Sequence, residues 1–283
     1  MRRARHFKPT RKLIARLRRR APRHPAGAES ALRHAVARLF LLLNTRIRAN
    51  VRHVAPGLVI RQRRDAKGDP TLRAALASAH QYGRDLLHSR GFKRAVSLAA
   101  ARTASAAARQ THAALGKHAP KEYPDLGEHA QALADQITDK VGSLLDDAVD
   151  RVDEVVGEWA DLDPDRSERA EDIDALDTMI GDDQDKNTGK ALAAAALAFG
   201  FAFGAMVRTS QEDADVGFYM WLTAKDSRVR PEHSDLDETI ASWDDPPLTA
   251  DKSDNEEDDH PGEDFNCRCV ASPLTPEDID ELS

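Results

Sequence analysis

The sequence predicts a mainly α protein, with a long helical N-terminal and central region followed by a small α+β C-terminal domain. Three observations carry this. Aromatic residues make up only 5% of the chain while alanine is heavily used, which favours helices meeting through thin, small-residue interfaces over a thick aromatic core. Apolar residues recur every three or four positions through most of residues 30–210. A single run, Val216–Thr223, is short, aromatic and β-prone.

Each element follows from local signals. The segment Met1–Gly27 is basic and broken by Pro9, Pro22 and Pro25, and within it Leu13, Ile14 and Leu17 fall at helical spacing. This reads as a short amphipathic basic helix in an otherwise flexible arm, residues 1–29. Ser30 is placed to cap a helix from Ala31 to about Val54, which Pro56-Gly57 should end. Thr71 opens a further helical run ending near Ser89–Gly91, and Phe92–Leu115 a third, stopped by Gly116 and Pro120. From Leu126 to Trp159 the period is strong, with acids on the opposite face. Pro164 breaks it. Asp165–Ile180 is expected as a short helix and Gly181–Asn187 as a solvated loop, whose interleaved acids resemble a calcium loop with the Gly and terminal Glu misplaced. Ala191–Val207 is uncharged, 17 residues long and more than half Ala and Gly. That is the lower limit for a bilayer span, so a buried or oligomer-packed helix is the expectation. Beyond Gln211, Asp244–His260 is an acidic loop, Cys267–Ala271 a second strand, and Thr275 with Glu277 and Asp278 caps a terminal turn. The expected domains are the arm 1–29, a helical region 30–210 and a C-terminal domain 211–283.

The net charge of −7 conceals a split: residues 1–118 carry +24 and residues 119–283 carry −31. A basic half is normally a surface for nucleic acid or an acidic partner, because Lys and Arg on phosphate release condensed counterions. The DNA-contacting candidates are Arg11, Lys12, Arg16, Arg18, Arg19 and Arg20 of the basic helix. The alternative is that the two halves attract each other, within or between subunits. The two cysteines, Cys267 and Cys269, are too close in sequence for an unstrained disulfide, so the chain reads as reduced and intracellular. The Arg-rich start lacks the apolar core of a secretory signal and extends beyond a transit peptide.

Two blocks near the C-terminus stand out. The first runs Trp221-Leu-Thr-Ala-Lys-Asp226-Ser-Arg228-Val-Arg230-Pro-Glu-His233-Ser-Asp-Leu-Asp237, and the second His260-Pro261-Gly262-Glu-Asp-Phe-Asn266-Cys267-Arg268-Cys269. Together they resemble the C-terminal domain of the Mu F-like minor head proteins of tailed phages, whose pattern is W-x-T-x-x-D-x-R-V-R-x-x-H followed by P-G-x-x-x-N-C-R-C. Arg208-Thr209 is similar to the lead-in of that family. Glu238 stands where many relatives have Gly. The resemblance implies a structural, non-enzymatic virion protein, made in the host cytoplasm and sited inside the capsid near the portal, assisting head assembly and DNA packaging or ejection. Its implied partners are the portal protein, the major capsid protein, packaged double-stranded DNA and scaffold, with no small-molecule substrate.

The chemistry of these blocks admits several readings. Arg230 can pair with Asp235 or Asp237. His233, just after Pro231 and among Asp226, Asp235 and Asp237, is expected to hold a turn rather than transfer protons. His233, His260, Cys267 and Cys269 would satisfy tetrahedral zinc; the competing reading is a cysteine pair packed as small hydrophobes and no cofactor. A nuclease using one histidine among Asp, Arg and Asn is the enzymatic alternative.

Overall fold

The structure is a computed structural model that describes residues 9–60, 69–161, 169–225, 229–247, 249, 260–262 and 267–282. It is mainly α. The elements are α1 (Arg11–Arg20), α2 (Ala26–Ile60), α3 (Pro70–Leu87), α4 (Arg90–Leu115), α5 (Gly127–Asp161), α6 (Arg169–Glu212), β1 (Phe218–Leu222), α7 (Pro231–Asp235), β2 (Ile240–Ser242), β3 (Val270–Pro273) and α8 (Pro276–Asp280). They form two compact units. A helical unit comprises Ser30–Val96 and Ala134–Ala196, and a sheet unit comprises Met1–Glu29, Ser97–Leu133 and Leu197–Ser283.

In the helical unit, α2 buries Leu32, Val36, Leu39, Leu43 and Ile47, α3 buries Leu72, Leu76, Ala79 and Leu87, and α5 buries Val141, Leu145, Val152 and Val156. Their spacing of three to four residues is why these stretches are helical: one stripe per helix can be removed from water. Helices α2, α3 and α5 meet closely at Gly83, where a Cβ would come within 2.9 Å of a Leu145 methyl and 3.1 Å of Leu43. Asp177 of α6, 5% exposed, takes both Nε (2.9 Å) and Nη2 of Arg48 and Nη2 of Arg52 (2.9 Å). The Arg48 hydrogen bonds hold its carboxyl below the usual range.

Two expectations are corrected here. Helix α2 begins at Ala26, after Pro25, and runs through Pro56 and Gly57 to Ile60; the proline forfeits one backbone hydrogen bond without ending the helix. Helix α3 opens at Pro70, one residue before the expected Thr71, and is capped by Asp69, whose Oδ1 accepts from Thr71 N (2.7 Å) and Leu72 N (3.2 Å). Gly181–Asn187 is no loop: α6 is continuous over 44 residues. Its polar residues have partners on α5. Gln184 Nε2 donates to Ala148 O at 2.9 Å and Arg151 Nε to Asp183 Oδ1 at 3.3 Å, so the run is amphipathic with a polar buried stripe. The apolar part of α6 has the length and composition of a membrane span, yet Ala191, Ala195, Phe199, Phe203, Met206 and Val207 are buried within the protein.

The sheet unit is organised by β1, the central strand of an antiparallel sheet in the order β2-β1-β3. Tyr219 pairs with Ala241 on one side and Pro273 on the other. Alternation sends Tyr219 and Trp221 to one face with Ala241, Trp243 and Ala271, and Met220 and Leu222 to the other. The second face is covered by α1: Leu13 and Leu17 are fully buried against Met220, Leu222 and Leu274. Helix α1 is thus docked, and the flexible arm expected over 1–29 is corrected over residues 11–20. Ser272 Oγ donates to Leu17 O (3.0 Å) and Arg20 Nη2 to Pro273 O (2.7 Å).

Charge reinforces this docking. Arg16 reaches Asp278 (2.6 Å) and Glu281 (2.7 Å), Arg18 reaches Asp237 (2.6 Å) and Glu238 (2.7 Å), and Arg20 pairs with Asp278. Asp278 also accepts from Thr275 N and Oγ1, both at 2.8 Å, closing the capping box of α8. Glu238 has φ +68, the left-handed region in which Gly is strain-free. The Arg18 contact and one from Lys225 (3.3 Å) offset that strain.

A pH dependence follows. Asp237 and Asp278 lie below their ordinary range: burial pushes each up, but hydrogen bonds from Thr223 or Thr275 and the nearby arginines prevail. Depressed carboxylates contribute stability above their unfolded values and lose it as pH falls through the folded ones. The amides of α1 should therefore lose hydrogen-exchange protection as pH drops below about 4, ahead of the helical-unit core. Equal loss in both units would contradict this.

Candidate functional site

The first sequence block is laid out along β1, the following turn and α7. Trp221 is fully buried; its N donates to Thr239 O and its O accepts from Glu238 N, both at 2.8 Å. Asp237 Oδ1 accepts from Thr223 N (2.9 Å) and Oγ1 (3.1 Å), tying the end of the block back to β1. Arg230 opens α7 as its N-cap, its carbonyl accepting from Ser234 N at 2.9 Å, and Pro231 presets the first turn. This brief helix aims His233, 2% exposed, into the core beneath Trp221, the two rings meeting edge to face at 5.5 Å.

The second block arrives from the other side. Cys267 and Cys269 flank Arg268 on the segment entering β3, and extended alternation sends both thiols inward. His233 Nδ1 lies 3.3 Å from Cys267 Sγ and 3.6 Å from Cys269 Sγ, and Cys269 N donates to Cys267 Sγ at 3.4 Å. The Cys269 thiol hydrogen-bonds to Cys267 and, with His233, holds the Cys267 thiol well below its ordinary range despite burial. Cys269 is correspondingly pushed up. The partners of Nδ1 are thus sulfurs, where the sequence suggested carboxylates.

Of the four expected zinc ligands, the structure brings together His233, Cys267 and Cys269, with ligand atoms all within 4.8 Å of one another. His260 stands apart from them. Its Nδ1 meets the Tyr219 hydroxyl at 3.1 Å, and its ring lies 4.8 Å from that of Trp243. Asp226, Arg228 and Asn266 lie outside the described residues, as does the acidic segment 251–259. Of the six cations proposed for DNA, Arg16, Arg18 and Arg20 are engaged with carboxylates of the same chain, while Arg11, Lys12 and Arg19 are exposed.

Several residues were missed in the sequence. Tyr219 and Trp243 stack at 4.2 Å to wall the cluster, and the period-two alternation of β1 could have flagged Tyr219 beside Trp221. Gly204 carried no local signal. It faces Gly262, whose φ is +92, so closely that a Cβ on either would lie 2.8–2.9 Å from the other's Cα. The Pro261-Gly262 turn therefore sits directly on the α6 backbone. Gly204→Ala should destabilise the protein by about 1–3 kcal/mol. Gly262→Ala should cost about 1 kcal/mol more for its left-handed backbone. Thermal melts of both variants check this, and an unchanged midpoint for either would refute the contact.

Comparison with known proteins agrees with this architecture. The family model described as Phage Mu protein F like protein matches residues 125–272, just over half of the chain, reaching upstream of the two blocks through α5 and α6. An uncharacterized protein of Haemophilus influenzae is 37% identical over 70 residues, which is 25% of this chain and 14% of that protein. The chain thus spans only a small part of that relative's length. No solved structure matches significantly. The chain belongs to the Phage Mu protein F like family.

Proposed function

We propose that this member of a phage head-morphogenesis family is a structural minor head protein, held inside the capsid near the portal, that contacts packaged double-stranded DNA and has no catalytic role. The observation that carries the reading is family membership joined to a solvent-facing basic segment. From Leu86 to Lys121 the chain has no Asp or Glu, and on α4 Arg90, Lys93 and Arg94 are exposed on one face at i, i+3 and i+4. Such cations attract phosphate without reading sequence. The DNA contact is thereby moved from α1, whose Arg16, Arg18 and Arg20 serve the sheet, to α4. Burial of His233 among sulfurs argues against the nuclease reading, since a general base must reach its substrate. The portal protein, the major capsid protein and scaffold are the expected protein partners, and synthesis in the host cytoplasm the expected origin.

Two measurements test this. Purified DNA-filled particles should contain the protein by mass spectrometry; its absence would remove the structural reading. The pure protein should bind duplex DNA with affinity falling steeply with salt. Changing Arg90, Lys93 and Arg94 to Gln should lower the slope of log K against log salt by about 2–3, roughly one for each phosphate no longer neutralised. An unchanged slope would place the DNA-binding surface elsewhere.

A further inference from the structure

The cluster of His233, Cys267 and Cys269 has the dimensions of a metal site. Zinc bound at about 2.3 Å to sulfur and about 2.0–2.1 Å to imidazole nitrogen, with tetrahedral angles, separates a sulfur from the nitrogen by about 3.6 Å. The two distances here are 3.3 and 3.6 Å. The three donors are 2%, 6% and 3% exposed and come from two segments, α7 and the entry to β3, that meet only in the folded sheet unit. Charge also fits. Two thiolates and one neutral imidazole balance a divalent cation, leaving a neutral centre that a buried pocket tolerates. Hydrogen-bond donors lie beside the sulfurs. Cys269 N points at Cys267 Sγ (3.4 Å), and the buried Trp221 indole N–H, close to Cys269, finds no oxygen or nitrogen acceptor among the described residues. Donors of this kind orient and tune thiolate ligands.

We propose that His233 Nδ1, Cys267 Sγ and Cys269 Sγ bind one zinc ion, with His260 outside the coordination sphere. Binding displaces the two thiol protons to solvent and forms two Zn–S bonds and one Zn–N bond, with no redox change. The metal staples the first sequence block to the second. His260 supports this wall through the Tyr219 hydroxyl without touching the metal.

The test uses the full chain, purified without an affinity tag from zinc-supplemented cells. The wild type and His260→Gln should each carry about one zinc per chain, and Cys267→Ser/Cys269→Ser about none. Cobalt added to chelator-stripped wild-type protein should give the intense visible bands and sulfur-to-metal charge transfer of a tetrahedral thiolate site. Those bands need no variant to fold, so they stand even if the double serine variant does not. Stripping zinc should lower the melting temperature of the wild type. Wild-type protein with neither zinc nor the cobalt bands overturns the proposal, as does a double serine variant that keeps its zinc. Loss of zinc in a folded His260→Gln would overturn the three-ligand assignment.

Discussion

A three-stranded sheet has two faces, and β1 can be a stable central strand only if both are removed from water. That constraint organises the sheet unit. One face is sealed by α7 and the cysteine segment, the other by α1 and α8. Burying two leucines, Leu13 and Leu17, contributes several kcal/mol at about 1.5–3 each. Each partly exposed ion pair of Arg16 or Arg18 contributes about 1 kcal/mol or less. Apolar burial therefore holds α1 in place. The arginines fix its register and orientation, because a one-residue slip would part each guanidinium from its carboxylate.

Much of this was legible in the sequence. The spacing of Leu13, Ile14 and Leu17 announced α1 and the aromatic alternation announced β1, whereas the strand expected over Cys267–Ala271 begins only at Val270, after both cysteines, and is the third strand rather than the second. What was not legible is where α1 goes. Amphipathicity reports that a helix has an apolar face and not which surface receives it, and a dense run of arginines masks the leucines beneath. Gly181–Asn187 misled for a related reason. Gln184 is polar and buried because another helix supplies its partner, Ala148 O of α5, which a single chain segment does not display, while Asn187 donates to Asp183 one turn back in the same helix. The thiol cluster was half legible: residue types identified the donors, but only the fold separates His260, committed to Tyr219, from His233.

The division of labour among the basic residues has the same origin. A +24 half-chain suggests one electrostatic task, yet the cations divide by neighbourhood. Arg16, Arg18 and Arg20 of α1 meet carboxylates of residues 237–281, whereas Arg11, Lys12 and Arg19 of the same helix and Arg90, Lys93 and Arg94 of α4 are exposed. Internal neutralisation and external attraction therefore coexist, and only the fold separates them, since residues 1–28 are as free of Asp and Glu as residues 86–121.

Thr10 and Glu281 lie 3.1 Å apart between side-chain oxygens, although 271 positions separate them. Helix α1 leaves the ribosome long before β1, β3 and α8, and so waits for its sheet while nearly all the intervening chain is made. Throughout that interval its leucine stripe is uncovered. The closing contact is among the most non-local the described chain contains, which places it late in the order of folding. The sheet unit is thus completed only after β3 and α8 have been made, from pieces made at widely separated times.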